Sequence, residues 1–243
     1  MNHGKFLAAA LILALGMTLS AGIISKLFFR IKLEQSITVK GYAEANVESD
    51  FSRFRCRYTA RGASLPEAYA GLAQARKAVT AKLLASGFTG AELAFDVIDV
   101  TKVQRRDAHG KEMNEVEFHD LAQSVTIEST NVYLVRDTAV ALGEMIKDNI
   151  DLTVFAPSFY VSDLQATKLK LMAEATADGC KRATTLAENS GGRVGKLTAA
   201  KQGVFQITTR NSTDVAGYGI YDESTIDKTV KAIVTLEYEI KSQ

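Results

Sequence analysis

The chain has 243 residues, with 29 Lys and Arg against 28 Asp and Glu and a formal net charge of +1. Its basic residues are spread through the sequence, which excludes an extended nucleic-acid surface, and there is no low-complexity tract. The two cysteines, Cys56 and Cys180, lack C-x-x-C or Cys/His ligand spacing, which excludes a disulfide framework and a structural zinc site.

Residues 6–25, FLAAALILALGMTLSAGIIS, are uncharged throughout. As a helix they span roughly 30 Å, the thickness of a bilayer's hydrocarbon core, whereas a secretory apolar region needs only about 7 to 15 residues. We read them as an uncleaved transmembrane signal anchor, so the chain divides into an anchor segment, 1–32, and a folded body, 33–243. Cleavage within Thr18-Leu19-Ser20 or Ser20-Ala21-Gly22 is the alternative. Neither is a good A-x-A site, and apolar character resumes at Ile23, Ile24 and Leu27-Phe28-Phe29. Lys26, Arg30 and Lys32 follow the run while Lys5 precedes it, a balance that taken alone places the body in the cytoplasm. The body is long enough for one sizeable domain or two small intertwined ones.

A strand begins at Ile37-Thr38-Val39, and a second runs from Phe51 to Ala60 with Phe54, Cys56 and Tyr58 on one face and Arg53, Arg55 and Arg57 on the other. Ser64-Leu65-Pro66-Glu67 has capping-box spacing and opens a helix with an apolar stripe at Ala68, Leu72, Ala75, Val79 and Leu83, stopped by Gly87. Residues 92–106 and 115–135 read as a hairpin of two long strands around Asp107-Ala108-His109-Gly110-Lys111. Asp137 then caps a short helix carrying Val140 or Ala141, Met145 and Ile146. The next strand, 153–161, holds Pro157 at an edge or boundary. Ser162-Asp163-Leu164-Gln165 repeats the capping logic before the longest helix, whose predicted buried stripe is Leu169, Met172, Thr176, Cys180, Ala183 and Ala187, ending at Gly191-Gly192. Strands over 194–207 and 226–240 close the chain around a Gly, Ser and Asp-rich stretch, 209–225.

This order of elements, with the segments ITVKGYAEANVESDFSRF, ASLPEAYAGLAQARKAVTAKLLASGF, APSFYVSDLQATKLKLMAEATADGCKRATTLAENSGGRVGKL and STIDKTVKAIVTLEYEI, resembles the bacterial SIMPL-domain family from about Ile37 to Ile240. That family includes the periplasmic immunogenic proteins of Gram-negative bacteria. The resemblance implies an α+β fold of antiparallel β-sheets with packed helices, here preceded by the N-terminal transmembrane helix. It also implies a body exported across the cytoplasmic membrane, rings or cage-like homo-oligomers, no established enzymatic activity, and ties to envelope or oxidative stress. One departure is local. Where such proteins often end the middle helix on glycine, this chain reads Lys147-Asp148-Asn149-Ile150, so Asn149 must take the left-handed position, which asparagine tolerates.

Chemical motifs are sparse. Ser190 to Leu197 evokes a phosphate loop, but the glycine spacing is one short, Leu197 stands where a magnesium-binding hydroxyl belongs, and the order is helix-loop-strand. His109 and His119, near Glu112, Glu115, Glu117 and Asp120, read as solvated hairpin polarity rather than a metal site, because a catalytic zinc needs three converging ligands. No G-x-S-x-G elbow occurs, and no cofactor is implied.

Cys56 and Cys180 fall on apolar faces and read as buried thiols, with a disulfide kept open by the exported location. Arg53, Arg55, Arg57 and Arg61 make a basic ridge that reads as the wet face of a sheet, an acid-pairing surface for a neighbouring subunit, or an anionic-lipid contact. In 209–225, Tyr218, Ile220 and Tyr221 are costly to leave wet, making this stretch the assembly contact, with disorder the alternative. The expectation is a single-pass protein of the bacterial inner membrane, held through residues 6–25, whose periplasmic body partners with itself and acts structurally rather than by turnover. If the anchor is cleaved, the body is soluble in the periplasm. The alternative function is a binding or adaptor module that recruits another envelope protein or a small ligand.

Overall fold

The computed structural model describes residues 11–25 and 36–242. Residues 11–25 form helix α1, every residue of it exposed. The rest of the anchor segment, 6–10 with Lys5, Lys26, Arg30 and Lys32, lies outside the described residues, as does the boundary drawn at 32. Among the described residues no helix is long and apolar enough to cross a membrane.

The body is α+β. In chain order come β1 (Ser36–Glu48), β2 (Phe51–Gly62), α2 (Leu65–Ser86), β3 (Leu93–Phe95), β4 (Asp99–Arg106), β5 (Glu112–Ser129) and α3 (Val132–Leu142). These are followed by β6 (Asp151–Val154), β7 (Ser158–Tyr160), α4 (Gln165–Asn189), β8 (Gly192–Gln202), β9 (Gln206–Thr209) and β10 (Asp227–Ser242). One sheet has the order β1-β10-β8 with β9 also on β10, and the other the order β3-β5-β2-β6 with β4 on β5 and β7 on β2. The described body clusters into two compact units, each built from separated segments: 36–44, 169–205 and 231–242 in the first, 45–168 and 206–230 in the second.

In the second unit, β2 lies between β5 and the short strands β6 and β7. Its alternation is as read from sequence: Phe54, Cys56 and Tyr58 are buried, and the antiparallel register sets Phe54 opposite Ile127 and Cys56 opposite Val125. Helix α2 covers this face with Ala68, Leu72, Ala75, Val79 and Leu83, all buried. Its start keeps half of the expected box: Ser64 caps the helix, its Oγ accepting from the Glu67 N–H at 3.4 Å, but Glu67 Oε2 reaches one residue further back and accepts from the Ala63 N–H at 3.0 Å rather than from that of Ser64. It stops where Gly87 turns left-handed at φ 111°. Asn149 takes the left-handed position, φ 61°, and Pro157 falls between β6 and β7, both borne out.

The strands read over 153–161 and 194–207 are each broken, into β6 and β7 and into β8 and β9, and three further boundaries differ from the sequence reading. The first hairpin strand is broken: residues 96–98 separate β3 from β4, β4 pairs with β5 next to the Asp107–Lys111 turn, and β3 pairs with β5 further along, Leu93 opposite Ile127. Strand β5 stops at Ser129, not at 135, because the Asn131 side chain accepts from the Leu134 N–H at 3.1 Å and caps α3 there. Asp137 is therefore inside α3, paired with Arg136 at 2.8 Å; Ala139, Leu142 and Met145 are buried while Val140 and Ile146 face out. Lastly, Ser162 does not cap α4. Its N–H and hydroxyl both donate to Asp50, and Asp163 accepts from the Gln165 N–H instead.

In the first unit, α4 lies against β1 and β10 with Leu171, Ala175, Gly179, Ala183 and Ala187 buried, so Leu169, Met172, Thr176 and Cys180 are not the stripe. The cause is in the strand. A methyl group on Gly41 would sit 2.0 Å from the Ala175 carbonyl oxygen, and one on Gly179 would sit 2.7 Å from Leu236 Cδ1. Backbones that close admit only small residues between them, whatever the hydrophobicity of the flanking positions. Asp178 fixes the same contact by accepting the Tyr42 N–H at 2.9 Å and Arg182 Nε at 2.7 Å.

Candidate functional site

Apart from Cys180, the candidate site residues singled out from the sequence lie in the second unit. The ridge on β2 is largely satisfied within the chain. Arg53 pairs with Glu128 at 2.5 Å, Arg57 with Asp99 at 3.2 Å and Arg61 with Asp120 at 3.3 Å, while the Arg55 guanidinium lies 4.7 Å from the centre of the Phe155 ring. The carboxylates come from β5 and β4 at positions set by strand register. The ridge is thus an alternating-charge surface rather than a bare basic one.

The segment 206–228 is braced, not loose. The Gln206 side chain grips Ala216 from both sides, donating to its carbonyl at 2.8 Å and accepting its N–H at 3.3 Å. Ile207 exchanges backbone bonds with Ile220 and Asp222, at 2.7 and 2.8 Å. Asp222 knots the far end: it accepts from the Ser224 and Thr225 hydroxyls, both at 2.6 Å, and from Lys228 Nζ at 3.2 Å. Lys228 is wholly buried and also donates to the Asp222 and Thr225 carbonyls, both at 2.6 Å. Burial alone would raise the Asp222 pKa, but the hydrogen bonds from Ser224, Thr225 and Lys228 outweigh it and hold the carboxyl well below the usual range. On this frame Tyr218 is 91% exposed, Tyr221 and Val215 are also exposed, and Ile220 is half-buried.

Both cysteines are free. Cys56 is wholly buried, and burial pushes its thiol up to about 12, leaving it neutral and unreactive. Cys180, expected in the core, is exposed because α4 is turned by the Gly41 contact. Among the described residues no group of three or more His, Cys, Asp or Glu side chains is placed to hold a metal ion.

Two grooves flank α2, and sequence reasoning missed both. The larger, about 1130 Å³, runs along the small-residue face Gly71, Ala78 and Ala85 toward the segment 144–151, and mixes Arg61, Lys82 and Lys147 with Glu144, Asp148 and Asp151. The smaller, about 440 Å³, is walled by Tyr69, Leu72, Leu84 and Ile98, with Arg76, Lys77 and Gln123 as its charged and amide groups. Arg76 is seated over the Phe95 ring, 4.2 Å from its centre. The Gln123 carboxamide is oriented by its neighbours, donating to the Asp96 carbonyl at 2.7 Å and accepting the Tyr58 hydroxyl at 2.8 Å. Burial pushes the Tyr58 pKa up to about 12, against an opposing pull from Arg76, so Tyr58 stays the donor. Exposed Tyr69 and Leu84, off the core stripe of α2, were the available sequence signal.

No curated protein matches the chain. A family model described as "SIMPL: Protein of unknown function (DUF541)" matches residues 37–237. That match covers the strand and helix order just described, from β1 into β10, and the chain belongs to the SIMPL family.

Proposed function

We propose that this chain is a membrane-tethered SIMPL-family protein whose body lies in the bacterial periplasm and acts by self-association, in a structural or envelope-stress role, rather than by turnover. The observation that carries the reading is α1. Leu11, Ile12, Leu13 and Met17 are each more than 60% exposed, and the uncharged run that contains them is twenty residues long. An apolar surface of that extent is not left in water. One such anchor already keeps a body at the membrane, and the raised local concentration of tethered bodies strengthens weak contacts between them, favouring a ring. The contact between copies is assigned to Tyr218, Ile220 and Tyr221, with Arg53, Arg55 and Arg57 beside Glu128 and Asp99 supplying charges of both signs. Tyrosines on a braced segment suit an interface, since little ordering entropy is lost on binding.

The test is absolute mass by light scattering, for the detergent-extracted full chain and for a chain beginning at Glu34. A discrete large particle in both assigns assembly to the body and tethering to residues 6–25. Assembly of the full chain alone moves self-association to the anchor. A monomer in both overturns the proposal and favours the second reading, an adaptor that recruits another envelope protein, for which the mixed-charge groove along α2 is the natural seat. Intact-mass spectrometry of the protein from membranes and from the periplasmic fraction separates a retained anchor from a cleaved, soluble form.

A further inference from the structure

We propose that the smaller groove beside α2 binds a small amphipathic anion: an apolar ring or short chain carrying one carboxylate. This goes beyond self-association and does not depend on it. The groove has the volume of a small-molecule site, about 440 Å³, where such sites span about 300 to 1,000 Å³. Its walls, Tyr69, Leu72 and Ile98, supply the apolar side.

Its polar side has one sign. Arg76 and Lys77 line it, no carboxylate does, and neither cation forms a salt bridge among the described residues. Gln123 adds a fixed donor. The Asp96 carbonyl can only accept and Tyr58 donates, so the amide cannot be flipped, and its second N–H is left for a ligand oxygen. The donor set therefore asks for an acceptor that is negatively charged. The guanidinium of Arg76, seated on the Phe95 ring, offers a planar fork at little ordering cost, which matches the two oxygens of a carboxylate.

The probe is 2-naphthoate, a carboxylate on a flat apolar bicycle, with neutral 2-naphthamide beside it. Equilibrium dialysis is run on the full chain in phosphatidylcholine nanodiscs, with empty nanodiscs subtracted. One equivalent of naphthoate per chain is expected. Arg76→Gln weakens naphthoate roughly tenfold, the worth of one charge-assisted bond, and leaves naphthamide unchanged. Ala73→Trp, at an exposed position that lines the groove, removes both ligands while the thermal melt stays that of the parent. Replacing part of the lipid with anionic phosphatidylglycerol leaves naphthoate binding intact, as a site for a free acid requires. Absence of binding, or binding that survives Ala73→Trp, overturns the proposal. Loss with Ala73→Trp but not with Arg76→Gln overturns the anion, and competition by phosphatidylglycerol overturns the free acid in favour of a lipid headgroup.

Discussion

Helices α2 and α4 solve the same problem in opposite ways. Each lays one stripe on an antiparallel sheet, but α2 does it with bulk, Leu72, Val79 and Leu83 against Phe54 and Tyr58, whereas α4, beyond Leu171, does it with Ala175, Gly179, Ala183 and Ala187. Bulky stripes hold by apolar area, about 2 kcal/mol for each large side chain fully buried, and tolerate small shifts of the helix. The α4 contact holds by closeness of backbones, so it has little apolar area to lose and no room to give. A stripe of large residues declares itself, while a stripe of small ones is defined by what it faces.

The sharpest way to break this contrast is Gly41→Ala. Its Cβ would stand 2.0 Å from a backbone oxygen, which cannot rotate away, so we expect a loss of at least about 4 kcal/mol, read as loss of the cooperative thermal transition. The matching change on α2, Gly71→Ala, meets only the Ala60 methyl at 3.2 Å and gains about 1 kcal/mol of helix propensity, so its melt should move by no more than a few degrees. Equal damage from the two would end the distinction.

Leu83→Ala removes a wholly buried side chain from the bulky stripe and should cost about 3 kcal/mol in urea unfolding, leaving the fold intact. A similar cost, about 3 kcal/mol, is expected for Asp222→Asn, which leaves Lys228 buried with its charge poorly matched. The sign with pH follows from the depressed Asp222 pKa. Its stabilisation is present above the ordinary carboxylate value, about 4, and is lost as pH falls below it, so the parent should lose stability there faster than Asp222→Asn does.

The mildest tests disturb least. Asn149→Ala, at a left-handed φ of 61°, should cost about 1 kcal/mol, with Asn149→Gly near neutral. A disulfide-exchange reagent on the unmodified protein should label one thiol per chain, Cys180, and reach Cys56 only on unfolding. Rapid labelling of both in the folded protein would contradict the register of β2.

Much of the fold was legible where local chemistry and periodicity agree. The cap at Ser64, the bulky stripe after it, the stop at Gly87, the alternation of Phe54, Cys56 and Tyr58 and the left-handed turn at Asn149 are each specified by residues within a few positions of one another. What failed needed a partner from elsewhere in the chain. Ser162 was drawn away from its helix by Asp50, the arginines of β2 were matched by Glu128, Asp99 and Asp120, and Cys180 was turned outward by Gly41. The small groove joins Tyr69 and Arg76 of α2 to Ile98 and Gln123, which no spacing relates.

The sequence by itself determined the uncharged segment 6–25, the α+β order of elements, the family and the core of the second unit, because backbone preference and apolar period act over a turn of helix or a strand. Tertiary structure alone decided which face α4 buries, which charges are paired and where the grooves lie. Those depend on strand register and on how near two backbones come, distances fixed only after residues far apart in the chain have packed.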